Sequence, residues 1–219
     1  MQNLILENLK ICIVAVCARK CAYIDDIHKY AEKVDVPKIE NCYRAIPRIL
    51  AKDNRKFKYS EVEKNGSERK FGESIEWLKD AALAPLAENV VVPELPLSAN
   101  VREGWFKLYL SDIGLLSALY GLETKKLLYS GRLAGPAKGG LYENFVAGAL
   151  QRKGYPLYYY KTLDGSREVE FVIEKDGGVI PIEVKATNGA TVSLNEPRNR
   201  LTPLHSFETL MVRLCEIMV

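Results

Sequence analysis

Apolar side chains recur at helical spacing through the first fifty residues. In the segment 1–36 they follow the 3.6-residue period, and they do so again from Ile39 to Leu50. The pattern predicts a helical segment over 1–36 and an amphipathic helix after it. Pro47 lies inside the second helix and predicts a kink or a break there, because proline has no amide hydrogen to donate.

The pattern changes between residues 57 and 100. Phe57–Ser60 predicts a short strand, Ser67 predicts the start of a helix, and the apolar run Val90–Val92 predicts another strand. Helix, short strand, helix and strand in this order are compatible with a winged-helix unit over 37–100. Many small α+β units show the same pattern, so the winged helix is one interpretation among several.

From residue 101 to 219 the pattern alternates between strands and helices. We expect a helix that starts at Asp112 and a hairpin turn at residues 176–178, whose sequence is Asp-Gly-Gly. A second helix should end at Gly154, which fits a left-handed cap. The remaining predicted elements are a strand over 106–110, the helix over 141–153, and strands over 157–161, 169–173 and 179–185. The fold class predicted for the whole chain is α+β.

Positive charge is concentrated in one stretch of a chain whose formal net charge is only +3. Residues 44–70 contain nine Lys and Arg against four Asp and Glu, a local excess of five positive charges. Such a patch can lie against the phosphates of DNA or another nucleic acid. The alternative is a solvated helix face. The candidate nucleic-acid-binding residues are Lys56, Lys58, Arg69 and Lys70.

Cysteine and histidine usage narrows the chemistry. The five cysteines form no CxxC pair and there are only two histidines, which argues against a zinc centre and a histidine-centred triad. We expect reduced thiols and a cytoplasmic protein. The apolar run Ile11–Ala18 is too short to span a bilayer, so it predicts a buried helix, with a signal peptide as the alternative. We expect no membrane partner.

Charged side chains meet on one face of the last predicted hairpin. Because strand side chains alternate, Glu183 and Lys185 share a face, and Glu170 lies in the strand before them. Glu143, on the preceding helix, adds a further carboxylate. The alternative is that Glu183 and Lys185 form a solvated charge pair on an ordinary strand.

These residue types suit metal-assisted cleavage of phosphodiesters. Mg²⁺, or Mn²⁺ in its place, takes hard oxygen ligands, which Glu170, Glu183 and the carbonyl of Val184 would supply. The metal would acidify a bound water, and Lys185 would position that water or stabilise the transition state. Glu143 would be an outer ligand or an orienting group. The candidate catalytic residues are therefore Glu143, Glu170, Glu183 and Lys185.

An ordered series of short motifs resembles the region that follows the ATPase core in a large family of prokaryotic AAA-type ATPases. It covers roughly residues 23–193. The motifs are Ile46-Pro47, Leu50-Ala51-Lys52-Asp53-Asn54, Phe57-Lys58-Tyr59-Ser60, Pro93-Glu94-Leu95-Pro96-Leu97, Phe106-Lys107-Leu108-Tyr109, Leu110-Ser111-Asp112-Ile113-Gly114-Leu115-Leu116, Tyr142-Glu143-Asn144-Phe145-Val146 and Ile180-Pro181-Ile182-Glu183-Val184-Lys185-Ala186.

The resemblance implies an architecture for each part of the chain. Residues 1–36 would be a remnant of the ATPase lid region, and 37–100 would be a winged-helix-like domain. Residues 101–219 would be a restriction-endonuclease-like α/β domain of the PD-(D/E)xK type, with Glu143, Glu170, Glu183 and Lys185 in its motif positions.

The chain departs from this family in three respects. It contains no G-x-x-x-x-G-K-[ST] motif, so we expect no ATP site and no ATP hydrolysis. Glu170 stands where the family usually has Asp, which shifts the carboxylate by one methylene. The tail from about residue 195 to 219 does not resemble the family.

Two functions follow as expectations. The first is a truncated ATPase-family protein with a nucleic-acid-binding winged helix and a Mg²⁺-dependent nuclease-like domain that cleaves phosphodiesters. The second is a catalytically inactive binding or regulatory module that partners an ATPase or another protein. The fold alone does not decide between them.

Overall fold

A computed structural model of the chain describes residues 22–185. Within them, the helices are α1 (22–30), α2 (Val36–Leu50), α3 (Glu68–Asp80), α4 (Ile113–Leu119), α5 (Leu122–Tyr129) and α6 (Pro136–Arg152). The strands are β1 (Leu86–Val90), β2 (Val101–Leu108), β3 (Tyr158–Lys161), β4 (Glu168–Lys175) and β5 (Gly178–Ile182). Short 3₁₀ turns occur at Tyr59–Glu61 and Leu97–Asn100.

The five strands form one mixed sheet in the order β2-β1-β3-β4-β5. Among these described strands, β1 and β3 pair in parallel, and the other three pairs are antiparallel. The chain passes from β1 to β3 through β2 and the helices α4–α6. The described residues therefore confirm the predicted α+β class.

A single large core joins the sheet to the helices. Ile39, Ile46 and Leu50 of α2 are fully buried together with Phe71 and Leu78 of α3. They belong to the same cluster as buried residues of β2, α6, β4 and β5, which are Phe106, Leu108, Val146, Leu150, Phe171 and Ile182. The apolar stripes that the periodicity predicts on α2 and α3 are thus the faces that pack inward.

The helices α2 and α6 approach each other closely at a pair of glycines. A Cβ atom on Gly140 would overlap the backbone carbonyl of Leu50, and one on Gly139 would overlap the guanidinium group of Arg55. Glycine at these two positions therefore lets the N-terminal half of α6 lie directly against the end of α2 and the loop that follows it.

Several predicted elements are confirmed by the structure. Asp112 is the N-cap of α4 and its side chain accepts a hydrogen bond from the amide of Leu115. Gly154 has a φ of 82° after α6, as a left-handed cap requires. Asp176 and Gly177, between β4 and β5, both have positive φ, which is the geometry of the two-residue hairpin turn.

Other predicted elements are wrong in detail. No strand covers Phe57–Ser60, because pairing is limited to a single bridge at Lys56 and the chain then turns into the 3₁₀ segment. Pro47 does not break α2, because it lies in the last turn, where the helix is about to end anyway. The strand predicted at Val90–Val92 is β1, which ends at Val90, and β5 ends at Ile182 rather than at Lys185.

One sheet crosses the predicted boundary between 37–100 and 101–219. The strand β1, from the first of these segments, pairs with β2 and β3 from the second. The winged-helix interpretation and the boundaries themselves stay predictions. The predictions for residues 1–21 and for the tail after residue 185 lie outside the described residues.

Across residues 22–185, no helix combines the length and the apolar character that crossing a membrane demands.

Candidate functional site

Glu143 lies at the centre of a buried group of charged side chains. Its carboxylate is 1% exposed, and Arg55 Nη1 donates to its Oε2 over 3.0 Å. Lys107 Nζ and the hydroxyl of Tyr109 both donate to its Oε1, over 2.8 and 2.6 Å. Both oxygens of this predicted outer ligand therefore already accept hydrogen bonds from the protein.

Lys107 connects Glu143 to a second carboxylate, Glu168. The Lys107 Nζ lies 2.6 Å from Glu168 Oε1, and Lys161 Nζ donates to Glu168 Oε2 over 2.6 Å. Burial by itself lowers the pKa of Lys107, but the carboxylates of Glu143 and Glu168 more than offset this and raise it. A fully buried ammonium thus stays charged because two carboxylates surround it.

The pKa values of Glu168 and Tyr109, which lie in the same network, are shifted as well. Burial raises the pKa of the Glu168 carboxyl, but the charges and hydrogen bonds of Lys107 and Lys161 together outweigh this effect, and the net shift is downward. Burial and the negative charge of Glu143 raise the pKa of the Tyr109 hydroxyl well above its ordinary value. Tyr109 therefore acts as a hydrogen-bond donor to Glu143 and does not ionise.

Glu170 lies beside this group but is held differently. Its Oε2 accepts a hydrogen bond from the backbone amide of Val184 over 3.2 Å. Burial, together with the negative charge of Glu143, raises the pKa of Glu170 to about 7. Lys107 opposes the shift without cancelling it. At neutral pH this carboxyl is therefore only partly ionised.

Glu183 and Lys185 form an ion pair with each other just after β5. The Lys185 ammonium contacts Glu183 Oε1, and the Glu183 side chain is 1% exposed whereas that of Lys185 is 36% exposed. The β4–β5 register, continued by one residue, would place Glu183 opposite Glu170. The structure thus brings Glu170 and Glu183 to the same end of the hairpin, as the sequence predicts.

Placed in this way, the residues do not form a ready ligand set for a divalent cation. In the part of the chain that the structure describes, no group of three or more His, Cys, Asp and Glu side chains is placed to hold a metal ion. Glu143 and Glu168 are neutralised by protein cations, and Glu183 contacts Lys185. A metal would have to displace Lys185 and remove the proton from Glu170.

The predicted nucleic-acid-binding residues divide into two places. Lys56 Nζ lies 3.2 Å from the centroid of the Trp105 ring, and Lys58 is exposed nearby. Arg69 and Lys70 lie on α3, where Lys70 forms an ion pair with Glu63 at 2.7 Å.

Sequence reasoning missed the partners of Glu143. Arg55, Lys107 and Tyr109 are 88, 36 and 34 residues away from it, so no local spacing could pair them. One signal was available: Lys107 is a lone charged residue among the apolar positions 106–110, and a buried lysine must have a carboxylate partner.

Comparisons with known proteins match two consecutive segments of the chain. Residues 20–126 match the family model "Domain of unknown function (DUF8612)", and residues 138–212 match "Domain of unknown function (DUF4143)". The second domain is often found with AAA ATPases. No curated protein and no solved structure matches the chain.

The boundary between the two matched segments passes through the charged network. Arg55, Lys107 and Tyr109 belong to the first segment, whereas Glu143 and Glu168 belong to the second. The sheet is shared in the same way, because β1 and β2 come from the first segment and β3, β4 and β5 from the second.

Proposed function

We propose that this chain is a catalytically inactive binding or regulatory module that partners an ATPase or another protein. The observation that supports this most is the pairing of the predicted catalytic carboxylates with cations of the protein itself. Glu143 is bound by Arg55 and Lys107, and Glu183 by Lys185.

Charge balance supports the proposal. Two carboxylates, Glu143 and Glu168, lie among the three cations Arg55, Lys107 and Lys161, and the neighbouring Glu170 is only partly ionised at neutral pH. A site that binds Mg²⁺ needs carboxylate charge that the protein has left uncompensated. Adding a divalent cation to a balanced, buried group would leave excess positive charge in a poorly solvated place, which is costly.

The assignment of an ATPase as partner rests on a comparison. The segment 138–212 matches a domain often found with AAA ATPases. The described sheet also includes strands from the segment before it, so the module would act as one body built from both segments.

Metal-dependent cleavage of phosphodiesters is the second candidate, and one observation favours it. Glu170, Glu183 and Lys185 do lie together at one end of the β4–β5 hairpin. Binding of Mg²⁺ or Mn²⁺ there would have to deprotonate Glu170 and separate Lys185 from Glu183.

A cleavage assay distinguishes the two candidates. Supercoiled plasmid and single-stranded DNA would be incubated with the protein in Mg²⁺ or Mn²⁺, beside Lys185→Ala and the control Lys175→Ala on the exposed end of β4. Mn²⁺ binding would be followed by electron paramagnetic resonance. We expect neither metal-dependent cleavage nor stoichiometric Mn²⁺ binding.

The contrary result is equally clear. Metal-dependent cleavage that is lost in Lys185→Ala and kept in Lys175→Ala would make the chain a nuclease and overturn the proposal. Cleavage of equal strength in all three proteins would come from a contaminating nuclease, and the Mn²⁺ binding data would then decide.

A further inference from the structure

The edge strand β2 contains a bulge that projects away from the sheet. Val101 pairs with Val90 and Phe106 pairs with Glu88, so four residues of β2 stand against a single residue of β1. Gly104, within the bulge, has a φ of 68°, and a Cβ atom there would meet no other atom within 4 Å. Bulges of this kind redirect side chains, and Arg102 and Trp105 both lie in this one.

Trp105 is held between two cations. Lys56 Nζ lies 3.2 Å from the centroid of the indole ring, and the guanidinium carbon of Arg102 lies 3.6 Å from it. Two groups at these distances would overlap on one side of the ring, so they occupy opposite faces. Cation–π attraction therefore fixes the positions of both charges.

The charges around this ring are divided, because cations surround Lys56 whereas Glu68, Glu76, Glu88 and Glu103 line the groove beside Arg102 and Trp105. Burial lowers the pKa of the Lys56 ammonium, and the positive charges of Arg102, Lys58 and Lys161 lower it further. Lys161 is shared with Glu168, whereas Lys58 is exposed to solvent. Glu103, an exposed residue of the bulge, is the acidic residue next to Arg102 in the chain. An anion bound here would relieve the repulsion among the cations.

We propose that Lys56, Lys58 and Arg102, arranged around Trp105, form a binding site for the phosphodiester backbone of duplex nucleic acid. We name these four residues the bulge site. The proposal goes beyond the proposed function and does not depend on it.

The chemistry of the bulge site favours phosphate contacts without base recognition. The Arg102 guanidinium can donate two parallel hydrogen bonds to one phosphate, and the lysines add point charges. Both faces of Trp105 are covered by cations, so a base cannot stack on it as in single-strand binding sites. Backbone contacts of this type position a protein on a duplex and carry no sequence information.

The surrounding charge favours a polyanion over a single anion. Lys56, Lys58 and Arg102 contribute three positive charges to the bulge site, whereas Lys52, Arg55 and Lys70 of the basic segment 44–70 form ion pairs with Glu61, Glu143 and Glu63. A phosphate backbone presents regularly spaced charges, and its binding weakens with added salt because the release of counterions into a more concentrated salt solution is less favourable.

The test measures binding of a short fluorescein-labelled duplex by fluorescence anisotropy across a series of salt concentrations. EDTA is present throughout, so that cleavage cannot contribute. We expect Arg102→Ala to weaken binding about tenfold and to lower the slope of log K against log salt by about one unit. Lys126→Ala, which removes an exposed charge from α5, is the matched control, and Arg69→Ala tests the α3 face.

Two further variants separate an organised site from diffuse charge. Trp105→Leu keeps every charge but removes the ring between Lys56 and Arg102, and we expect it to weaken binding several-fold. Glu103→Gln removes the neighbouring acid, and we expect it to tighten binding. Because misfolding cannot produce tighter binding, this variant keeps the test valid if Trp105→Leu is unstable.

Three results with the variants and competitors would overturn the proposal. In the first, Arg102→Ala and Lys126→Ala weaken binding equally, and in the second, neither Trp105→Leu nor Glu103→Gln changes it. In the third, polyglutamate displaces the labelled duplex as readily as unlabelled duplex does. The last result would indicate an acidic protein as the ligand. Failure to bind the duplex would contradict the bulge site but not the proposed inactive protein-binding module. Metal-dependent cleavage would contradict that module and not the bulge site.

Discussion

A fully buried lysine is a costly residue unless carboxylates surround it. Lys107 meets this requirement through Glu143 and Glu168, and Glu143 also receives Arg55 and the hydroxyl of Tyr109. Removing one of these side chains would leave its partners buried without a counter-charge or a hydrogen-bond partner. Each of them therefore depends on the others. A glutamate that the sequence predicts to be catalytic can therefore serve the stability of the fold instead.

At the residue scale, Glu170 predicts a specific pH dependence. Its folded-state pKa is raised to about 7, so the folded protein binds this proton more tightly than the unfolded chain does. Stability should therefore fall as pH rises from the ordinary carboxyl range towards 7. Glu170→Gln removes this penalty. The difference in free energy of unfolding between the variant and wild type should therefore be up to about 3 kcal/mol more favourable to the variant at pH 8 than at pH 4.

Urea unfolding of the wild type and the variant at several pH values measures the difference. Glu123→Gln, at an exposed position of α5, is the control for the loss of one carboxylate at the surface. A difference between Glu170→Gln and wild type that stays constant from pH 4 to pH 8 would contradict the prediction.

At the element scale, the sequence predicts what local chemistry determines. The β4–β5 turn follows from Asp176 and Gly177, which tolerate positive φ, and α4 starts where Asp112 can cap it. The segment after Lys56 fails as a strand because a 3₁₀ turn forms and the chain folds back until Gly66 lies against the carbonyl of Tyr59. The pairing of Glu143, in contrast, depends on residues that no short window contains.

The contact between α2 and α6 gives a prediction of the same scale. Alanine normally stabilises a helix relative to glycine by about 1 kcal/mol. Gly140→Ala should instead destabilise the protein by about 1–3 kcal/mol, because its Cβ would overlap the carbonyl of Leu50. Gly72→Ala on α3 is the matched control, since its Cβ would meet only the Glu68 side chain at an ordinary 3.5 Å.

Thermal and urea unfolding of both variants checks this prediction. We expect opposite signs, with Gly72→Ala neutral or stabilising and Gly140→Ala destabilising. Equal gains in the two variants would mean that α2 and α6 are not in close contact in solution.

At the scale of the whole molecule, two matched segments share one sheet and one charged network. The parallel pair β1–β3 and the contacts of Glu143 both cross the boundary between them. Neither segment can bury its half of the network without the other. Arg55 and Lys107 would lose their carboxylates, and Glu143 would lose its donors.

We therefore predict that residues from both segments unfold in one cooperative transition. Trp77 and Trp105 both lie in the segment 20–126, so tryptophan fluorescence reports that segment, whereas far-UV circular dichroism reports helices and strands of both. The two urea transitions should coincide. Lys107→Met breaks the network while keeping the side-chain volume similar. It should lower the free energy of unfolding measured by both signals by about 3–5 kcal/mol. A dichroism transition that remains at the wild-type midpoint after the fluorescence transition has moved would show that the second segment folds independently.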